Sequence, residues 1–343
     1  MGTKLTDNLI TDSKRGFITV ATGREEYYKI AVNLLNSYRQ FTENPLPFAI
    51  LAEEENEYTE QFDQTIILRN PRRTYMDKLE VLNNIPFEET IFIESDILAY
   101  KDLNKLFECF SVNYEFFIEG ENYDIYSKKG WFLLNEAGEF KDKIKFIPRF
   151  HSGIIFLKKS EVCKTIYNNC IYVRDNFEKF NIGGSMVALD DKCLALAMAL
   201  TDCRCIPIKE FQLESFHLSK NLVVYPHLKC KSKLVISMQK KKLFYKAKRK
   251  VEILACHFGN SLTRESLYQR EIYILKCFQE KEKINKKLIT KKNKDIFLMQ
   301  LKESWGGTCK KIKSFFKWIG AHFTISWIKY RWGKLKERFT KNK

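Results

Sequence analysis

The sequence predicts an α/β fold with a mainly parallel central sheet, and three observations carry that expectation. Short apolar runs at 15–22, 48–52, 64–68 and 91–93 alternate with stretches of helical periodicity, the pattern of βαβ units. The run RGFITVAT at 15–22 turns at Gly23 into a helical stretch over 24–40, with Tyr27, Ile30, Ala31, Leu34, Leu35 and Tyr38 as its apolar face. Ile91, Phe92 and Ile93 are apolar without alternation, as in a strand covered on both faces, and they stop abruptly at Glu94-Ser95-Asp96.

The acidic pair is the centre of the chemistry. Carboxylates two residues apart at a strand end project to one side, and ligands of open α/β sheets bind beyond the carboxyl ends of strands. Two carboxylates there suit a hard divalent cation, which in turn commonly holds a phosphate. The plainer alternative is a strand ending in polar residues, with Asp96 capping the next turn. Asp102 then opens a helical pattern through Leu103, Leu106 and Phe107. Neither a G-x-G-x-x-G fingerprint nor a P-loop is present, which excludes the commonest dinucleotide and triphosphate sites.

Other stretches supply candidates. RNPRRTYMDK (69–78) gathers cations before a helix leading into the acidic strand; as a solvated turn it needs no further role. EFFIEG (115–120) reads as a strand, 121–150 as a long aromatic and charged excursion, and FHSGIIFLK (150–158) as a strand. Gly153 either lets backbone approach a ligand or lets two strands pack. Gly183-Gly184 precedes a helix over 185–200 that carries Asp190 and Asp191, acids that a helix start favours anyway. A strand is expected at 206–208. His257, in ACHFGN (255–260), is either a packed residue or part of a site.

Taken in order, these segments resemble the GT-A glycosyltransferases, family 8 in particular. ESDILAYKDLNKLF (94–107) is similar to the family's D-x-D segment, with Glu94 in place of the first Asp; Lys78 stands one helix ahead of it, where the family has a lysine on the diphosphate. HSG (151–153) resembles a strand whose leading polar residues face the donor sugar, with His151 in place of Asn; HFG (257–259) resembles the segment whose His completes the metal site, and Arg264 offers a cation where the family has a lysine. The resemblance covers about 15–265. It implies a GT-A type α/β/α sandwich and a retaining hexosyl transfer from a nucleotide-diphosphate sugar to a glycan or lipid-linked acceptor. It further implies metal ligation by Glu94, Asp96 and His257, donor binding by Ala21, Thr22, Lys78, Ser95, His151, Ser152, Gly153 and Gly259, and sugar orientation by Asp190 and Asp191. Carboxylates plus one imidazole suit Mn²⁺ or Mg²⁺, with Mn²⁺ the more tolerant of nitrogen.

Composition bounds the rest. The chain has 343 residues, 45 % hydrophobic and 14 % aromatic, and is globular rather than disordered. Its ten cysteines include no C-x-x-C and fit reduced, buried thiols. Residues 279–343 carry 19 Lys and Arg against 5 Asp and Glu, whereas 1–219 carry 26 against 34; between them, 220–250 has 11 basic residues and no acid. We therefore expect a catalytic domain over 1–278 and a basic helical extension over 279–343. Ile312, Phe315, Phe316, Ile319, Phe323, Trp327 and Tyr330 form a stripe at helical spacing, suited to an anionic membrane surface or to packing on the catalytic domain. With no apolar run after Met1, the expected place is the cytoplasmic face of the membrane, the acceptor an envelope glycan, and no specific nucleic acid is expected. The rival expectations are a catalytically dead GT-A-like adaptor and a metal-dependent nucleotidyltransferase.

Overall fold

The computed structural model describes residues 14–109, 114–180, 189–207, 213–215, 233–239, 246–252, 254–259, 266–292, 294, 295 and 298. Gly183-Gly184, the helix start at 185–188, Arg264 and the apolar stripe beyond 311 lie outside the described residues.

Four parallel strands form the heart of the sheet: β1 (Arg15–Ala21), β2 (Phe48–Ala52), β3 (Gln64–Ile67) and β4 (Glu89–Ile93). Strands β5 (Ile97–Ala99), β6 (Phe116–Phe117), β7 (Gly120–Tyr123), β8 (Ile147–Phe150) and β9 (Ile154–Lys158) follow in the chain. The six-stranded sheet runs β3-β2-β1-β4-β9-β6, with β9 antiparallel to both of its neighbours. The fold is thus α/β with a mostly parallel sheet, as the strand runs predicted.

Helix α1 (Glu25–Phe41) covers one face, burying Ala31, Leu34, Leu35 and Tyr38 against Phe17, Phe48, Ile50, Ile91 and Ile93. Tyr28 is buried on that helix and Tyr27 only half-buried. The other face carries α2 (Glu161–Asp175), α3 (Leu189–Leu200) and a 3₁₀ helix, Tyr75–Asn83, on Ile18, Leu51, Phe92 and Leu157. Each of Ile91, Phe92 and Ile93 is essentially removed from water, contributing about 1.5–3 kcal/mol. The alternate side chains of β4 therefore feed two different cores, which explains its lack of a polar face.

Several expectations are corrected. The helix ahead of the acidic strand is 3₁₀, and the pattern after Asp102 is a 3₁₀ turn, Leu103–Lys105, passing into a single α turn, with the Asp102 side chain accepting from the Asn104 amide. The predicted strand over 115–120 is split between β6 and β7. The excursion at 121–150 closes on itself, because β7 pairs antiparallel with β8. At 206–208 no strand forms among the described residues; Ile206 makes a single bridge to Glu119.

A second, small sheet matters most for the site. β10 (Leu213–Ser215) pairs with β13 (Ala255–His257), which pairs antiparallel with β5; β11 (Lys233–Gln239) and β12 (Lys246–Glu252) form a separate hairpin. Helix α4 (Ser266–Gln279) packs behind the small sheet with Tyr268, Ile274 and Leu275 on Leu98, Cys256 and Phe258. Ile284 and Ile289 join the same cluster, so the folded body continues past 278.

Candidate active site

The site lies beyond the carboxyl ends of β1 and β4, where Glu94, Ser95 and Asp96 form a turn after β4 rather than its last residues. The period-two argument therefore does not bring the two carboxylates together; the turn does. The Glu94 amide donates to the Gly153 carbonyl at 2.9 Å, and the Ile97 amide to the Glu94 carbonyl at 3.1 Å, reversing the chain into β5. β5 then pairs with β13 so that Ile97 opposes His257, and the Phe258 amide donates to the Asp96 carbonyl at 3.0 Å. This register puts His257 Nε2 3.2 Å from Glu94 Oε2 and 3.0 Å from Asp96 Oδ1. Residues 161 and 163 positions apart in sequence thus meet through one turn and a three-residue ladder.

Glu94 reaches both ways. Its other oxygen accepts from Lys78 Nζ at 2.8 Å. That ammonium also donates to Ser152 Oγ at 2.6 Å, contacts Asp190, and lies 3.8 Å from Asp191. Ser152 in turn donates to Asp191. Burial opposes the charge on Lys78, but Glu94, Asp190 and Asp191 outweigh it and hold the amine well above its usual range. Burial would also raise Glu94, yet Lys78, His257 and His151 bring it down to about 2. Asp191 is pushed up to about 6, by burial first and then by the Asp190 charge.

Burial disfavours a charged His257, but Asp96 and Glu94 prevail and raise it to about 8. An imidazolium supplies the positive charge the two carboxylates require. His151 stacks edge-on to it with ring centroids 4.6 Å apart, and is lowered to about 4 by burial and by the neighbouring cation. Glu94, His151 and His257 each turn a ligand atom to one spot, all within 4.8 Å of one another. This nitrogen and oxygen donor set fits a divalent ion. His257 Nδ1 is buried with no hydrogen-bond partner among the described residues, so Nε2, facing the acids, is the ring's polar anchor.

Beside this cluster is a cavity of about 340 Å³ lined by Ala21, Thr22, Tyr27, Arg73, Tyr75, Lys78 and the Glu94–Asp96 turn. Two of its lining residues, Thr22 and Arg73, are held by Asp77, a buried acid that sequence reasoning missed. Asp77 accepts from Thr22 Oγ1 at 2.6 Å and from the Arg72 and Arg73 amides at 2.8 Å each. The signal was its place beside Lys78: on a 3₁₀ turn the two neighbours face different partners. Glu53 was missed as well; it accepts from the Gly23 amide and from Arg73 Nε. Gly23 has φ +84°, a conformation that suits glycine at this turn. Gly259, also at positive φ, ends β13 just after His257.

No protein-family model matches the chain, and no curated protein matches it. Among solved structures, it is similar to the glycosyltransferase GlyE of Streptococcus pneumoniae TIGR4, at 13 % identity and TM-score 0.38, over 58 % of this chain and 46 % of that one. The galactosyltransferase LgtC, solved with donor and acceptor sugar analogues, is 10 % identical with TM-score 0.46, over 76 % of this chain and 95 % of LgtC. Mouse xyloside xylosyltransferase 1 is 11 % identical with TM-score 0.38, over 59 % and 88 %. The chain spans about half the length of GlyE. What its site can do follows from its own side chains.

Proposed function

We propose that this chain is a metal-dependent glycosyltransferase of the GT-A type that uses a nucleotide-diphosphate sugar. The observation that carries this reading is the convergence of Glu94, Asp96 and His257 beside Lys78, next to a cavity at the end of β1. Glu94, Asp96 and His257 would hold Mn²⁺ or Mg²⁺. Bound there, the ion would neutralise charge developing on the leaving diphosphate.

The chain's own residues do the rest. Lys78 Nζ lies between the acids and the cavity, able to exchange a carboxylate for a phosphate oxygen. Ala21 and Thr22, at the end of β1, take the nucleoside side; Ser95, Ser152, Gly153 and Gly259 surround the donor. Asp190 and Asp191 orient the sugar, and an ionised acid there stabilises oxocarbenium character. The resemblance to family 8 supports retention of anomeric configuration and transfer to an envelope glycan or lipid-linked acceptor, and the basic, aromatic-rich stretch 279–343 supports docking on an anionic membrane surface.

The deciding experiment is thermal shift of the full chain with a panel of nucleotide sugars, with and without Mn²⁺, followed by product analysis. Metal-dependent stabilisation by one donor, with release of the nucleoside diphosphate, is expected. Release of pyrophosphate would indicate nucleotidyl transfer instead, and no response to any donor would favour the inactive adaptor.

A further inference from the structure

Position 151, like position 94, departs from the family pattern within the site, and the resemblance alone puts His151 on the donor sugar. We propose instead that His151 is a ligand of the cation, and that two imidazoles make the site selective for a first-row transition ion over Mg²⁺. This rests on the metal-site reading above and extends it to the identity of the ion.

The placement is structural. Glu94, His151 and His257 bring their ligand atoms within 4.8 Å of one another. Ligands of one ion, each about 2.0–2.3 Å from it, lie roughly 3–4 Å apart, a gap that a small side-chain rotation closes. Gly153 makes the meeting possible. A Cβ there would stand 2.9 Å from His151 Nδ1 and 3.3 Å from Glu94 Oε2, so ring nitrogen and carboxylate flank the same point. The Gly153 amide donates to Nδ1 at 3.1 Å, holding the ring over the site; ligation through Nδ1 exchanges that donor for the ion. The two rings approach edge to face, so each can offer a nitrogen without stacking on the other.

The chemistry of the donors sets the preference. Mg²⁺ favours near-octahedral oxygen and keeps several waters, whereas imidazole nitrogen suits Co²⁺ and Zn²⁺ well, and Mn²⁺ less well but better than Mg²⁺. A single imidazole among carboxylates leaves the choice open; a second one biases it.

The test uses the metal-stripped full chain. Pulsed electron paramagnetic resonance of bound Mn²⁺ should detect two coupled imidazole nitrogens in the wild type and one in His151→Asn. Calorimetric titration should show Co²⁺ affinity falling by at least about tenfold in His151→Asn, the scale on which even outer-shell partners act, with Mg²⁺ affinity nearly unchanged. One nitrogen in the wild type, or equal Co²⁺ affinity in the variant, overturns the inference. Should the variant melt early, the wild-type nitrogen count still decides. Nucleotide binding is scored separately: two nitrogens without affinity for any nucleoside diphosphate would sink the transferase reading and spare this one, and one nitrogen with sugar transfer would do the reverse.

Discussion

At the scale of single residues, the site is a balance of charges around Lys78. Its ammonium faces Glu94, Asp190 and Asp191 with only 11 % of the side chain exposed. Replacing it by methionine keeps the volume but removes the cation that Asp190 and Asp191 face and leaves Glu94 with His257 alone. Breaking a buried ion pair from one side costs roughly 3–5 kcal/mol, so Lys78→Met should lower unfolding stability by about 3 kcal/mol in urea titrations with chelator present. A loss below about 0.5 kcal/mol, typical of surface changes, would mean the acids are solvated and the cluster is no site. Asp96→Asn tests another contact. It keeps the shape and the hydrogen-bonding oxygen but removes a charge, so metal-dependent donor binding should vanish while the melting temperature without metal stays near wild type. Wild-type turnover by Asp96→Asn would remove Asp96 from the metal assignment.

At the scale of elements, the site is made by ends rather than by middles. The sequence shows the strands β1, β2, β4 and β9 because strands covered on both faces are written in contiguous apolar residues. It also shows Lys78, Glu94, Asp96, Ser152, Asp190 and His257 as candidates, and the structure collects them. What it cannot show is why they meet. That depends on the Glu94–Ile97 turn and the β5–β13 ladder, and β5 is three apolar residues with no strand signature of its own. The 3₁₀ character of Tyr75–Asn83, whose Leu79 and Leu82 pack into the core, was hidden likewise. Asp77 escaped notice because two of its three partners are backbone amides, which carry no residue-type signal. Those amides make a prediction. Asp77→Ala removes three hydrogen bonds to one carboxylate, each worth about 1.5–3 kcal/mol at most, and frees the Arg72-Arg73 turn on the cavity wall. Nucleoside diphosphate affinity should fall at least about tenfold, the equivalent of one such bond, as read by calorimetry with saturating Mn²⁺. Unchanged affinity would place the nucleotide elsewhere than this cavity.

At the scale of the whole molecule, charge is segregated along the chain. Residues 1–219 hold 26 basic against 34 acidic side chains, and 279–343 hold 19 against 5. Among the described residues no helix is long and apolar enough to cross a membrane. Each basic side chain near an anionic leaflet contributes about 1 kcal/mol, so a handful suffice to hold the protein there. Trp305, Trp318, Trp327 and Trp332 all fall in this region, and such rings favour the headgroup boundary. The full chain should therefore co-sediment with anionic vesicles, bind neutral ones weakly, and release as salt rises past the range where the Debye length falls below about 10 Å. Because Ile284 and Ile289 belong to the folded body, a shortened chain should stop after Asp295 rather than at 278. It should keep donor binding and lose most of its vesicle binding. Equal vesicle binding by the shortened chain would acquit the tail, and tight, selective capture of RNA by the full chain would point to nucleic acid instead of lipid.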